Sequence, residues 1–261
     1  MAVEVAREQR AEGGFVARVT IDRAAKLNAL DRPLIGEIIE TMSALAGEPE
    51  MRLAVVTGAG GRAFIGGADI AELAALDAES ARHFITAVHV CCDAFRHLPV
   101  PAVARIDGYA LGAGLELAAA CDFRVASERS VFGMPEARMG IPSVVEAALL
   151  PGLIGPARSR RLLLSGANIG ADEALAWGLV DNVAPADKLD DAVEALIAPI
   201  LAAGPQAIRI QKKLILDWEE RHATAAVERG IEAFVEAFAT DEPARMIGAA
   251  RTALTTRRGM R

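Results

Sequence analysis

Two glycine-rich stretches carry the residues best suited to chemistry. One is Arg62-Ala-Phe-Ile-Gly-Gly-Ala-Asp-Ile70; the other is Asp107-Gly-Tyr-Ala-Leu-Gly-Ala-Gly-Leu-Glu-Leu-Ala-Ala-Ala-Cys-Asp122. In both, small residues stand just ahead of a helix. Such junctions leave backbone N–H groups unpaired, with the positive end of the helix dipole behind them. Two free amides converging on one point form an oxyanion hole, which stabilises negative charge developing on a carbonyl oxygen. The same small residues also suit close packing of loops against a sheet, and on residue type alone both readings stand.

A third stretch imitates a different chemistry. Val55-Val-Thr-Gly-Ala-Gly-Gly-Arg-Ala63 fits G-x-G-x-x-G/A at Gly58, Gly60 and Ala63, after a run that reads as a strand. A dinucleotide site also needs a helix whose N-terminus meets the pyrophosphate. Here Gly66-Gly67 follows within a few residues, and paired glycines are poor helix formers. A short-chain reductase would also want a Lys four residues after a Tyr; the chain's one tyrosine is Tyr109, and Ala113 stands four residues on. Dinucleotide binding is therefore not expected.

The elements that must position these loops follow from periodicity. Val3, Val5 and Ala6, then Glu12-Gly13-Gly14, then Phe15, Val16, Val19 and Ile21 predict a hairpin turning at the glycine pair. Asp31-Arg32-Pro33 opens a helix whose apolar positions run Leu34, Ile35, Ile38, Ile39, Met42 and Leu45. Leu53–Thr57, Ala102–Ile106 and Phe123–Ala126 read as strands, and 79–98 and 115–120 as helices. Strand and helix alternate to about residue 185, which predicts a mainly parallel α/β core. Beyond Pro185 the pattern turns helical over 186–203, 205–221, 222–239 and 242–254. A boundary near residue 200 would divide a core, 1–200, holding the active site from a helical region, 201–261.

Composition sets the limits. The 261 residues are 52% hydrophobic and 24% charged, enough apolar surface for a sizeable core. A net charge of −7 and a pI near 5.3 argue against nucleic acid as a partner. No apolar run approaches a membrane span, and the first residues lack the pattern of a secretory leader, so no membrane association is expected. Cys91, Cys92 and Cys121 suit no disulfide framework, which points to a reduced, cytoplasmic protein. His83, His89, His97 and His222 read as helix residues, and no metal site is visible.

Several motifs, in order, carry a resemblance. Ile21-Asp-Arg-Ala-Ala-Lys-Leu-Asn-Ala-Leu30 resembles N-R-P-x-x-x-N-A-L, and Phe64–Ile70 resembles F-x-x-G-A-D-I. Gly108–Asp122 resembles G-x-A-x-G-G-G-x-E-L-x-x-x-C-D, and Phe132–Pro142 resembles F-x-x-P-E-x-x-x-G-x-x-P. Leu164-Ser-Gly166 and Ala174–Val180 resemble the later L-T-G and A-x-x-x-G-L-V pieces. Together they resemble the enoyl-CoA hydratase/isomerase (crotonase) superfamily over most of the chain.

The resemblance implies a crotonase-like spiral of strand–strand–helix repeats with a C-terminal all-helical oligomerisation region that also covers the active site. It implies that the amides of Ala68 and Ala113 hold a thioester carbonyl and that Glu116 and Glu136 are the two carboxylates of a hydratase. Glu116 would activate water and Glu136 would protonate the α-carbon. Lys26, Leu27, Ala68, Asp69, Ile70, Ala71 and Gly112 would line the CoA and substrate groove. CoA enters as part of the acyl-CoA substrate, and no metal or other cofactor is expected. Homotrimers or dimers of trimers are implied, and the apolar Ile231, Phe234, Val235 and Phe238 are expected to make subunit contacts. The rival expectations are an isomerase, a carnitinyl-CoA-type dehydratase or a C–C hydrolase on the same scaffold, or a non-catalytic acyl-CoA-binding subunit.

Departures from the pattern mark where specificity would differ. Ala113 stands where many members have Gly, and serves only if its backbone is in a region open to a Cβ. Ile141-Pro-Ser-Val-Val-Glu-Ala-Ala-Leu-Leu-Pro151 replaces a glycine-rich stretch, placing Val144, Val145 and a third carboxylate, Glu146, where the acyl end would lie. Glu146 reads either as a helix-start residue or as a contact to a polar acyl group. Asp22 replaces an Asn at the groove's edge. The usual C-terminal A-F-x-E-K-R piece is missing; Arg245, Arg251, Arg257 and Arg258 read either as contacts to the 3′-phosphate of CoA or, in preference, as solvated surface residues.

Overall fold

A computed structural model describes residues 2–239 together with Ala244, Ile247, Gly248, Arg251 and Thr252. The expected hairpin is present. β1 (Val3–Gln9) pairs antiparallel with β2 (Phe15–Ile21), and the turn holds Gly13 and Gly14 at φ 90° and 72°, a region open to glycine. α1 (Arg32–Ala46) is capped by Asp31, which accepts the Leu34 amide, and it buries Leu34, Ile35, Ile38, Met42 and Leu45.

The chain then winds in repeated units of a long strand, a short strand and a helical segment. β3 (Met51–Gly58) and β4 (Ala63–Ile65) lead to α2 (Ile70–Ala74) and α3 (Ala78–Arg96). β5 (Ala102–Ile106) and β6 (Tyr109–Leu111) lead to α4 (Ala113–Ala120). β7 (Phe123–Ser127) and β8 (Val131–Gly133) lead to two 3-10 turns, Glu136–Met139 and Val145–Leu149, and then to α5 (Leu150–Ile154). α6 (Pro156–Ser165), β9 (Asn168–Gly170), α7 (Ala171–Trp177) and β10 (Asn182–Ala184) follow.

The long strands form one sheet in the order β1-β2-β3-β5-β7-β10, parallel except for the hairpin. The short strands form a second, β4-β6-β8-β9, parallel except for the last pair. This is the strand–strand–helix spiral that the resemblance implies. The loop after Gly58 turns straight into β4, so the glycine run imitating a dinucleotide fingerprint has no helix behind it.

Two apolar layers hold the sheet. The main core lies between the sheets and α1, α3 and α4. On the other face, Val16, Leu53, Val55, Val103 and Val125 are covered by α8 (Leu189–Ala202) through Leu189, Val193, Ile197 and Leu201, a four-residue spacing along one helical stripe.

Pro205–Phe238 is one continuous helix, α9, where the sequence reading expects a break between 221 and 222. The stretch Asp217–Ala226 contains neither Gly nor Pro, so nothing there stops a helix. Lys212 anchors α9 to the core. Its buried Nζ donates to Asp122 Oδ2 at 2.7 Å, to the Val100 carbonyl at 3.0 Å and to the Phe95 carbonyl at 3.4 Å.

The apolar stripe of α9 packs in part on the chain's own core. Phe234 is buried, and Ile231, Val235 and Phe238 are half-buried, with Phe234, Ile231 and Phe238 packed on the chain's own core. The helix expected over 242–254 falls mostly outside the described residues, as do Arg245, Arg257 and Arg258; Ala244, Ile247, Gly248, Arg251 and Thr252 are helical. All three cysteines are free and buried. Among the described residues no single helix is long and apolar enough to cross a membrane, and no group of His, Cys, Asp and Glu could hold a metal ion.

Candidate active site

The first wall of the site is fixed by backbone pairing. Leu27 and Asn28 both adopt φ 56°, a left-handed turn. Asn28 is fully buried and staples that turn: its Oδ1 accepts the Arg23 amide at 2.9 Å, while its Nδ2 donates to the carbonyls of Ala59 at 3.0 Å and Ala63 at 2.8 Å. The segment after it then runs beside Gly66–Asp69. Gly66 donates to the Leu27 carbonyl, Leu30 to Gly67 and Asp69 to Leu30, each at 2.8 Å. Leu30 and Ala68 form a parallel bridge. Extended backbone alternates its N–H direction, so the bonds made at Leu30 and Asp69 turn the Ala68 N–H to the opposite side, toward the cleft.

Asp69 locks this wall. It caps α2 by accepting the Ala71 amide at 2.8 Å and takes a hydrogen bond from Arg23 at 2.8 Å. Burial opposes its charge, but Arg23 and the Ala71 amide overcome that and hold its carboxyl below the usual range. Arg23 also donates to the Ala29 carbonyl and pairs with Asp31. Asp22 turns back to the Ala24 amide at 3.3 Å.

The second wall is the start of α4. Gly112 holds φ 51° and ψ −123° and donates to the Gly133 carbonyl at 2.9 Å. Ala113 is the first helical residue, so its amide is among those a helix leaves unpaired. Ala113 does not have positive φ, so its Cβ brings no backbone strain, and the Ala-for-Gly departure is harmless to a backbone donor. A Cβ at Gly114 would lie 2.1 Å from the Ile65 carbonyl oxygen, so this helix start can lie against β4 only with glycine there.

The two glutamates complete the cleft. Glu116, in the first turn of α4, is 4% exposed, with the backbone N–H groups of Ala147 and Val144 near its carboxyl. Burial, then the negative charges of Glu136 and Glu146, push its pKa well above the usual carboxylate range; the two amides pull the other way. Glu136 opens the first 3-10 turn and is partly exposed to the cleft. Its carboxyl lies against Gly112: a Cβ added there would be 2.0 Å from Glu136 Oε1. Burial raises the Glu136 pKa, and Ser143, donating to its Oε2 at 2.7 Å, works against that rise.

A cavity of about 750 Å³ joins these parts. Lys26, Leu27, Ala68, Asp69, Ile70, Ala71, Gly112, Ala113, Glu116 and Glu136 all line it, so every candidate residue read from the sequence meets at one place. Sequence reasoning missed several others. Phe84, Ile85 and Val88 come from the apolar face of α3, Leu73 from α2 and Phe234 from α9; Ser143 supports Glu136. The signal for the α3 residues was their helical spacing, which reads equally as plain core.

The departures resolve unevenly, and Glu146 stands in the first turn of a 3-10 helix, as its helix-start reading expects. Val144 does line the cavity, whereas Val145 and Glu146 do not. Val145 is buried and held at φ 39°, a strained value for a β-branched residue, and Glu146 points back to His89 on α3. Arg251 is not merely a surface residue: although exposed, it lines the cavity.

Two backbone amides on the wall of one cavity, beside a pair of carboxyl groups with raised pKa values, are groups that could stabilise an enolate and move a proton. The comparisons with known proteins agree with that chemistry. Residues 11–249 match the family model described as enoyl-CoA hydratase/isomerase. The chain is 34% identical over 228 residues to the crotonyl-CoA hydratase of Syntrophomonas wolfei, covering 87% of this chain and 88% of that one. It is 33% identical to the short-chain-enoyl-CoA hydratase of Clostridium acetobutylicum, covering 88% of each. The crystal structure of an enoyl-CoA hydratase from Mycobacterium avium subsp. paratuberculosis superposes with a TM-score of 0.84 at 29% identity, covering 97% of this chain and 96% of that one. With the matched model spanning nearly its whole length, the chain belongs to the enoyl-CoA hydratase/isomerase family.

Proposed function

We propose that the protein is an enoyl-CoA hydratase acting on a 2,3-unsaturated acyl-CoA thioester with an apolar acyl chain. The observation that carries this reading is the meeting of Glu116 and Glu136 in one cavity with the Ala68 and Ala113 amides. The thioester oxygen is received by those two N–H groups. When water adds at C3, charge builds on that oxygen, and each such donor is typically worth about 3–4 kcal/mol in the transition state. Ionised Glu116 takes a proton from the attacking water, and protonated Glu136 delivers one to C2 on the same face. Water's oxygen ends on C3 and a proton on C2, with no net oxidation or reduction, so the reaction needs no redox partner.

One proton shared by two carboxyl groups runs both directions. Held on Glu136 it serves hydration; held on Glu116 it serves the reverse dehydration, in which Glu136 removes the C2 proton and Glu116 releases water. Raised pKa values on both residues are what such sharing requires. The acyl group would extend toward Leu73, Phe84, Ile85, Val88, Ile141 and Val144, an apolar lining that disfavours a charged acyl end.

The test is a panel of trans-2-enoyl-CoA and 3-enoyl-CoA substrates of increasing length, followed by loss or gain of the conjugated thioester absorbance. Hydration of 2-enoyl substrates should exceed isomerisation of 3-enoyl substrates. Isomerisation alone, or binding of the panel without turnover, would overturn the reading.

A further inference from the structure

Behind the cavity wall lies a charged pair that the hydration scheme does not use. Glu146 is 2% exposed, in the 3-10 turn that packs on α3, α4 and α9. Its Oε1 is 2.6 Å from Nδ1 of His89, which is half-buried on α3. Its Oε2 is buried and has no hydrogen-bond partner among the described residues. A carboxylate so placed needs a counter-charge, and among the described residues His89 is its ion-pair partner. The same 3-10 turn connects this pair to the site. The turn packs on α4, which carries Glu116, and Val144 at its start lines the cavity together with Glu116.

We propose that His89 and Glu146 form a positioning pair that governs, from behind the cavity wall, which of the two acid–base carboxyl groups holds their shared proton. This rests on the reading of Glu116 and Glu136 as that couple. With His89 protonated, the pair is neutral and Glu116 is free to ionise. With His89 neutral, an uncompensated negative charge stands behind Glu116 and draws the proton onto it, away from Glu136. The bond to Glu146 raises the His89 pKa against the opposing effect of burial, which favours its protonated form.

Other titratable groups among the described residues also act here. Glu116 faces Glu136 from the first 3-10 turn and Cys92 from α3; His89 has Asp93 and His97 on its own helix; Cys91 and Cys92 also lie within the field of Glu146. On α9, the described charged residues nearest α3 are already paired, Lys212 with Asp122 and Glu219 with Arg96. Among the described residues, His89 is the titratable group that is hydrogen-bonded to Glu146.

The experiment measures the pH profile of kcat/KM for hydration in three variants, alongside direct titration of Glu116 by NMR of ¹³C-carboxyl glutamate, assigned with Glu116→Gln. Glu146→Gln removes the negative charge, so Glu116 titrates lower and the acidic limb moves to lower pH. His89→Gln leaves Glu146 uncompensated, so Glu116 titrates higher and the limb moves to higher pH. His89→Lys keeps the positive charge and restores the wild-type limb. A merely structural role would lower activity or thermal stability in both removals without opposite shifts. Shifts of the same sign, or none, overturn the proposal. If the wild type hydrates no acyl-CoA, the functional reading fails, while the NMR titration still decides the pairing.

Discussion

The two sides of the cleft are built by opposite means. The proposed oxyanion side, from Leu27–Leu30, Gly66–Asp69 and Gly112–Ala113, presents main-chain amides held by main-chain bonds and by the Asn28 and Asp69 side chains, with glycines where the backbones approach closely. The acid–base side, from Glu136 to Ala147, presents side-chain carboxyl groups held by irregular backbone: two 3-10 turns, a left-handed Gly140 and a Val145 at φ 39°. A carbonyl oxygen needs donors fixed in space, and a backbone ladder fixes them cheaply. A proton shuttle needs groups whose charge can change, so it needs desolvated acids whose neighbours set their pKa values. The buried carboxyl groups with raised pKa values collect on the second side, because a proton shuttle requires them there.

The largest effects should come from removing the chemistry while sparing the cradle. Glu116→Gln and Glu136→Gln are each expected to lower kcat by at least about 10²-fold, the scale of general acid–base catalysis. Calorimetry with a saturated acyl-CoA should show affinity largely unchanged, because the amides are untouched. A tenfold loss of affinity in either variant would mean that the two sides are not separable.

A smaller effect is expected where the two sides touch. Gly112→Ala would place a Cβ 2.0 Å from Glu136 Oε1 at a left-handed backbone position. Displacing that carboxyl by a fraction of an ångström to one ångström should lower kcat by roughly 10- to 100-fold. Gly152→Ala, where an added Cβ meets nothing within 4 Å, is the control and should be unchanged in kcat. Equal kcat in both variants would show that Glu136 tolerates displacement.

The same contrast explains what was legible in the sequence. The oxyanion side is legible because its requirement is local: small residues before a helix, in fixed order, leave a pattern in one dimension. The spiral's long strands are legible for a similar reason, as buried apolar runs such as Leu53–Val56. The second sheet is not, because β4, β6, β8 and β9 have three residues each, too short to express a period of two. Nor is the setting of Glu146. A carboxylate before an apolar run reads as a helix start, and its partner, His89, lies 57 positions earlier on another element. The stripe on α9 was legible as apolar, but amphipathicity does not say whether a helix meets its own core or another chain, and Phe234 meets its own.

Ser143→Ala tests how finely the acid–base side is tuned. The hydroxyl donates to Glu136 Oε2 at 2.7 Å and favours its ionised form. A hydrogen bond to a charged group contributes about 1.5–3 kcal/mol when fully desolvated, and less where the acceptor opens on a cleft. Without it the Glu136 pKa should rise, so the alkaline limb of the hydration profile, where protonated Glu136 is lost, should move up by about half a unit to one unit. The change in kcat at neutral pH should be only a few-fold, by the same arithmetic. A downward shift would mean that Ser143 stabilises the protonated form.

The smallest effect belongs to the oxyanion side and is the most diagnostic. Ala113→Gly removes a side chain and leaves the N–H in place, at a first helical position without positive φ. If the donor is the amide, kcat should stay within about threefold of wild type, since the lost methyl touches no reacting atom and one donor is worth far more than that. Thermal stability should fall slightly, because glycine in a helix is less favourable than alanine by up to about 1 kcal/mol. A change at Ala113 that left stability intact but lowered kcat 100-fold would place the requirement on the methyl group, and the backbone account of this wall would fail even if both glutamates behaved as expected.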